Sequence, residues 1–256
     1  MLTNNQILKI AMMQSAIDSS CEPDDFLAFS NKVVLSRPHT QARKYLTLPF
    51  SCDLTSYGNN IVASVSAELA ADTESYINKY SVEHCFETPA MQVLNEILKK
   101  RDLCVCFMAE YFLPDATQMI PLPCRYKTRL LYPKDFSTLY LPQWSNALCK
   151  ERRHLDVLGI GAFDGDRLIG LAGCSADCDT MWQIGIDVLP EYRRQGIAAC
   201  LTSRLALEVL KKDIVPFYCC AWSNIKSKKN ALKSGFRPTW VQLTARSIKF
   251  TEKMNQ

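Results

Sequence analysis

Val188-Leu189-Pro190-Glu191-Tyr192-Arg193-Arg194-Gln195-Gly196-Ile197-Ala198 is the stretch whose reading decides the fold. The residues leading up to Val188 (Met181 onward) read as a strand, and Leu189-Pro190 ends it. A helix then starts near Gly196 and runs to about Lys212, because Ala198, Leu201, Leu205 and Val209 recur at spacings of three and four. A helix start leaves its first amide N–H groups without partners and carries partial positive charge. Such an end holds a pyrophosphate, and Gly196, lacking a Cβ, lets the phosphate reach the backbone. Arg193 and Arg194 add cations at the rim. The alternative reading of the same residues is a plain strand–turn–helix with two solvated arginines.

Upstream of this stretch the pattern predicts three antiparallel strands in a meander. Residues 157–163, 167–176 and 181–188 form the strands, joined by a tight Asp164-Gly165-Asp166 turn and a second turn over 177–180. Downstream, residues 216–222 read as a fourth strand. Ser223 or Asn224 caps a helix that ends at Gly235, and 239–245 read as a further strand.

The segment Arg193-x-x-Gly196-x-Ala198, preceded by Pro190-Glu191-Tyr192, resembles the acetyl-CoA signature of the GNAT acetyltransferase superfamily, Gln/Arg-x-x-Gly-x-Gly/Ala. Asn224-x-x-Ser227 followed by Lys233-Ser234-Gly235-Phe236 resembles a second feature of that family, at the expected distance downstream. The resemblance covers about residues 126–256. It implies an α/β (α+β) fold of GNAT type, a mixed and mostly antiparallel central sheet flanked by helices. Residues 1–125 are expected to form an N-terminal α/β accessory domain, separated by a proline-rich stretch that includes Pro114, Pro121 and Pro123.

What the family does carries over residue by residue. The strand ending at Val188 is implied to splay from Phe217–Trp222, with the pantetheine arm of acetyl-CoA in the gap and the Val188 amide on the thioester carbonyl. The amides of Arg194, Gln195, Gly196, Ile197 and Ala198, beside Arg193, are implied to hold the pyrophosphate. Asn224, with Ser227, would contact the pantetheine or steady the loop before it. The implied activity is acetyl transfer from acetyl-CoA, as cosubstrate, to a primary amine of a small molecule or peptide. Two positions depart from the family pattern. Ala231 stands seven residues after Asn224, where many members carry a tyrosine as the acid. Asp187 is the carboxylate that the third strand offers where many members have a glutamate. Asp187 and Tyr218 are therefore the catalytic candidates, and a non-catalytic acyl-CoA sensor is the alternative.

The first half reads as a helix over 6–18, a short strand over 31–36, a loop at 57–60, a helix over 66–80, a helix opened by Thr88-Pro89, and a strand over 103–113. Bulk properties exclude several classes. Hydrophobic residues make up 48% and charged residues 22% of the 256, which suits a packed core. A net charge of +4 is too small to argue for nucleic acid, and the Lys226, Lys228, Lys229, Lys233 face reads as solvated or as meeting the 3′-phosphate of CoA. No apolar run is long enough for a membrane span and no export signal is seen, so twelve cysteines are expected as reduced thiols in a cytoplasm. With no CxxC pair and three histidines, no metal site is expected. A homodimer is compatible with the sequence, which does not fix the oligomeric state.

Overall fold

The computed structural model describes residues 2–256. In chain order the elements are α1 (Asn4–Ser19), β1 (Lys32–Leu35), β2 (Cys52–Ser56), β3 (Val62–Val65), α2 (Ala70–Lys79), α3 (Val82–Cys85), α4 (Thr88–Lys99) and β4 (Leu103–Pro114). There follow β5 (Lys127–Leu131), β6 (Asp156–Asp164), β7 (Arg167–Ser175), β8 (Met181–Val188), α5 (Ile197–Leu210), β9 (Val215–Ala221), α6 (Ile225–Lys233), β10 (Phe236–Ser247) and α7 (Ile248–Met254). The fold is mixed α/β with mostly antiparallel strand pairing and flanking helices, as the sequence predicts.

Two compact units are interleaved along the chain: residues up to Ala11 with Phe112–Pro238, and Met12–Tyr111 with Thr239–Gln256. These limits cut the sequence differently from a division at 125/126. The reason is pairing: Val241–Thr244 of β10 lie antiparallel to Asp53–Ser56 of β2, so the end of the chain packs with the first half. α1, β4 and β10 each cross from one unit to the other.

In the unit of Met12–Tyr111, β1 pairs parallel with β3, and β3 and β10 both pair antiparallel with β2. The strands β2 and β3 lie where the sequence predicts only turn-prone residues and a loop. Both are buried along their whole length, so their polar residues face the interior. α4 packs Ala90, Leu94 and Leu98 into the core with Leu54, Leu69 and Ile77. Full burial of such a leucine is worth about 1.5–3 kcal/mol. Glu87 is the N-cap of α4, and Thr88-Pro89 open its first turn. The predicted 66–80 helix opens with a 3-10 turn over Ala67–Leu69.

In the other unit β5, β6, β7 and β8 form an antiparallel meander, and β9 pairs parallel with β8. β6 and β7 meet in a two-residue turn, Asp164 opposite Arg167, in which Gly165 has φ +58°. β5 is the strand of this unit that the sequence reading lacked. α5 lies close on β7 because Gly170 has no side chain: a Cβ there would come within 2.9 Å of the Ile197 Cγ2. That contact seats the first turn of α5 beside the end of β8.

Candidate functional site

The β8–β9 pairing is short. It runs over Met181↔Val215, Trp182↔Pro216 and Gln183↔Phe217 and then stops, although both strands continue. Beyond Gln183 the two strands are no longer paired, and a gap opens toward Val188. The register with β7 fixes which groups face it. The Leu189 amide donates to the Ile169 carbonyl at 3.0 Å, and β7 and β8 pair as Gly170↔Val188 and Ala172↔Ile186. In an antiparallel pair, hydrogen-bonded and non-hydrogen-bonded positions alternate. Asp187 and Gly185 therefore bond toward β7, while the backbone groups of Val188 and Ile186 turn toward the gap. The sequence singles out Val188 and misses Ile186, since one strand read alone gives no ladder parity.

The gap ends at the loop Leu189–Gly196. Arg193 Nε donates to the Val188 carbonyl at 3.0 Å, satisfying an acceptor and leaving donors on that edge. Arg194 (φ +63°) and Gly196 (φ +80°) are both left-handed. For a non-glycine residue this conformation costs about 1–2 kcal/mol, and alternating handedness turns successive amides toward one point. Gly196 is the N-cap of α5 and supplies no side-chain cap. Among the described residues, no acceptor meets the amides of Arg194, Gln195, Gly196, Ile197 and Ala198. A Cβ on Gly196 would meet nothing within 4 Å, so the space beside that residue is open. Ile197 is buried and Ala198 half-buried, anchoring the turn, while Arg193, Arg194 and Gln195 are exposed. Tyr126 steadies the loop: its hydroxyl donates to Gln195 Oε1 at 2.9 Å and its ring meets Tyr192 edge-on at 5.7 Å.

Asn224 caps α6 by accepting from the Ser227 amide at 3.2 Å. Tyr218, on β9, is buried between Phe112 and Phe236, with its hydroxyl beside Ser227 and Asn230. Burial raises its pKa, so it stays protonated through neutral pH. Ala231 is fully buried, and no tyrosine fits there without displacing its neighbours. Trp222 is 56% exposed at the end of β9, with the lysines of α6 beyond it.

Asp187 faces the other side of the sheet. Its carboxylate accepts from the Asn146 amide at 2.8 Å, from Asn146 Nδ2 at 2.7 Å and from the Ala147 amide at 3.0 Å. Gly173 and Gly185 lie under the same segment, and a Cβ on either would run into the carbonyl of Ala147 or Asn146. Asp187 and two glycines thus clamp residues 145–149 onto the sheet. Nothing in the sequence linked Asp187 to a partner some forty residues away.

A family comparison matches residues 121–240 to the GNAT acetyltransferases. Among curated proteins none matches. Solved structures with partial similarity include a GCN5-related N-acetyltransferase-like protein from Streptococcus suis, at 18% identity over 62% of this chain and 69% of that one, TM-score 0.45. An acetyltransferase of the GNAT family from Colwellia psychrerythraea is 13% identical over 61% of this chain and 63% of its own, TM-score 0.43. A GCN5-related N-acetyltransferase from Kribbella flavida is 12% identical over 59% and 63%, TM-score 0.45. The chain thus spans less than two thirds of the Colwellia and Kribbella proteins. The stretch matched to the GNAT acetyltransferases, residues 121–240, is the one that holds the splayed strands and the left-handed loop.

Proposed function

We propose that the protein is an acetyl-CoA-dependent N-acetyltransferase acting on a primary amine. The observation that carries this reading is the early end of β8–β9 pairing beside a helix start whose amides have no acceptor. A pantetheine arm, itself built of amides, suits a strand edge with unpaired donors, and a pyrophosphate suits the five amides from Arg194 to Ala198. Arg193 and Arg194 add charge at the rim.

In the reaction the amine nitrogen forms a bond to the acetyl carbon, and negative charge builds on the carbonyl oxygen. An amide of Ile186 or Val188 in the gap is the donor for that charge. The carbon–sulfur bond then breaks, the CoA thiolate departs and takes up a proton, and the nitrogen loses one to water. Tyr218 has the protonation state an acid needs, although it is almost wholly buried. Asp187 is better suited to holding residues 145–149 than to carrying protons, because three donors already occupy its two oxygens. The buried Ala231 favours a second reading, a non-catalytic acyl-CoA sensor.

Calorimetric titration with acetyl-CoA and CoA, followed by thiol release across a panel of amines, separates the readings. Binding with turnover supports the enzyme, and binding without turnover on any amine supports the sensor. No heat with either coenzyme overturns both.

A further inference from the structure

Residues 122–128 run across α5 as a strap. Burial alternates along them: Leu122, Cys124, Tyr126 and Thr128 are half-buried, while Pro123, Arg125 and Lys127 are exposed. A period of two turns every second side chain to one side, and hydrogen bonds identify that side as α5. The Leu122 amide donates to Ser203 Oγ at 3.2 Å, and Arg204 donates to the Leu122 carbonyl at 3.2 Å and to Thr128 Oγ1 at 2.8 Å. Tyr126 donates to Gln195, just before the helix. Cys124 stands midway between Leu122 and Tyr126, and Cys200 lies between Gln195 and Ser203 on the helix side. The two thiols therefore meet, within hydrogen-bonding reach of each other, and neither is in a disulfide.

The pair is unequal. Cys124 is half-exposed and Cys200 is wholly buried. Burial, and then the Cys124 sulfur beside it, push the Cys200 thiol up to about 11, against the lowering effect of Arg204. Cys200 is thus inert on its own, and Cys124 is the thiol that an outside reagent reaches. Position ties the pair to the loop before α5: the Cys200 amide donates to the Gly196 carbonyl at 3.0 Å and closes the first turn of the helix.

We propose that Cys124 and Cys200 form a redox switch, joined by exchange with a low-molecular-weight disulfide such as glutathione disulfide, and that the bond between them weakens acetyl-CoA binding. Cys124, as its thiolate, attacks one sulfur of glutathione disulfide, forming a mixed disulfide and releasing one glutathione thiolate. Cys200 then loses its proton, attacks the Cys124 sulfur and expels the second glutathione thiolate. The protons given up by the two cysteines go to the two glutathiones. One protein disulfide is gained, and one glutathione disulfide is reduced to two thiols.

A covalent bond draws the sulfurs closer than two thiols in contact, so one side must move. α5 is the fixed side. Ile197, Leu201 and Leu205 are buried, and Ile197 rests on Gly170 so closely that a Cβ there would come within 2.9 Å of it. The half-exposed strap yields instead, and Tyr126, two residues from Cys124, is pulled away from Gln195. The loop then loses the contact that steadies it beside the left-handed Arg194. A hydrogen bond of ordinary strength is worth about three- to tenfold in affinity. The effect on binding rests on the acetyl-CoA reading, whereas the thiol linkage does not.

Incubation with glutathione disulfide, removal of the reagent and mapping of disulfide-linked peptides by mass spectrometry test the linkage. A peptide pair joining Cys124 to Cys200 is expected. Calorimetric titration then uses acetyl-CoA and not CoA, whose free thiol would itself reduce the bond. Affinity is expected to fall about three- to tenfold on oxidation and to return with dithiothreitol. Cys124→Ser should bind acetyl-CoA like the reduced wild type and lose the response, and Tyr126→Phe should show the lower affinity without oxidation. Amide hydrogen exchange over residues 193–197 is expected to quicken in the oxidised protein. Absence of the Cys124–Cys200 linkage, unchanged or tighter binding by the oxidised protein, or a response that survives Cys124→Ser overturns the switch. A reduced wild type that does not bind acetyl-CoA overturns the acetyl-transfer reading instead, and the thiol switch is then judged by the linkage and the exchange rates.

Discussion

Asp53 and Asp156 are both buried carboxylates whose pKa is pushed up to about 6, chiefly by burial, yet they sit in different company. Asp53 accepts from three donors held by the fold: Thr244 Oγ1 at 2.5 Å, Gln242 Nε2 at 2.9 Å and Thr55 Oγ1 at 3.1 Å. Around Asp156 there is an amide, a tyrosine and an open cavity with an unpartnered serine. A second contrast is between one ion pair and one loop. Met12–Tyr111 hold Arg43 against Asp18 at 2.9 Å, with both side chains buried, and Arg43 Nη2 donates to Ser15 at 3.1 Å. Phe112–Pro238 leave a run of amides and a strand edge without acceptors. Buried polarity that closes on itself stabilises a fold, and polarity left open marks where a ligand completes it.

Asp18→Ala would test the closed side and has the largest expected effect. It leaves the Arg43 guanidinium buried without its counter-ion, a loss of about 3–5 kcal/mol, read as a shift of the denaturant midpoint. CoA affinity of the folded fraction should not change, and a loss below about 1 kcal/mol would break the contrast. Gly196→Glu tests the open side. Bulk and negative charge in front of the free amides should weaken CoA binding about 100-fold or more while circular dichroism stays native. Gly196→Ala is the control, because its strain alone costs about 1–2 kcal/mol at φ +80°.

The smallest effect is in pH dependence. A carboxylate with a raised folded-state pKa binds more protons folded than unfolded between its two values. Asp53 therefore makes stability fall as pH rises from 3.8 toward about 6, and the loss levels off above that. One proton gives at most about 1.4 kcal/mol per pH unit. Asp53→Asn should flatten the profile in that window, as followed by unfolding midpoints from pH 4 to about 7.

The meander and the loop after it were legible because their signals are local. The Asp164-Gly165 turn, the Pro190 break, the spacing of Leu201, Leu205 and Val209, and the Asn224 cap each sit within one element and its neighbours. β2 and β3 were not legible. Asp53, Thr55, Ser56 and Ser64 are polar yet buried, so no alternation marks a strand, and two of the donors to Asp53 come from β10 far along the chain. For the same reason Ile186, Asp156 and the partners of Asp187 escaped notice. Ladder parity, a wall built by three strands and a clamp onto a distant segment exist only once the register is set.

Because α1, β4 and β10 each run through a boundary between units, the half that holds residues 121–240 is not a cassette. A fragment starting at residue 126 would discard Phe112–Arg125, which belong to that half, and would carry along Thr239–Gln256, which do not. It would also strand Asp53 without Gln242 and Thr244 in whatever remained. No single cut frees either part intact, so any loss or exchange of one in the course of descent would have to excise two separate stretches of the gene at once.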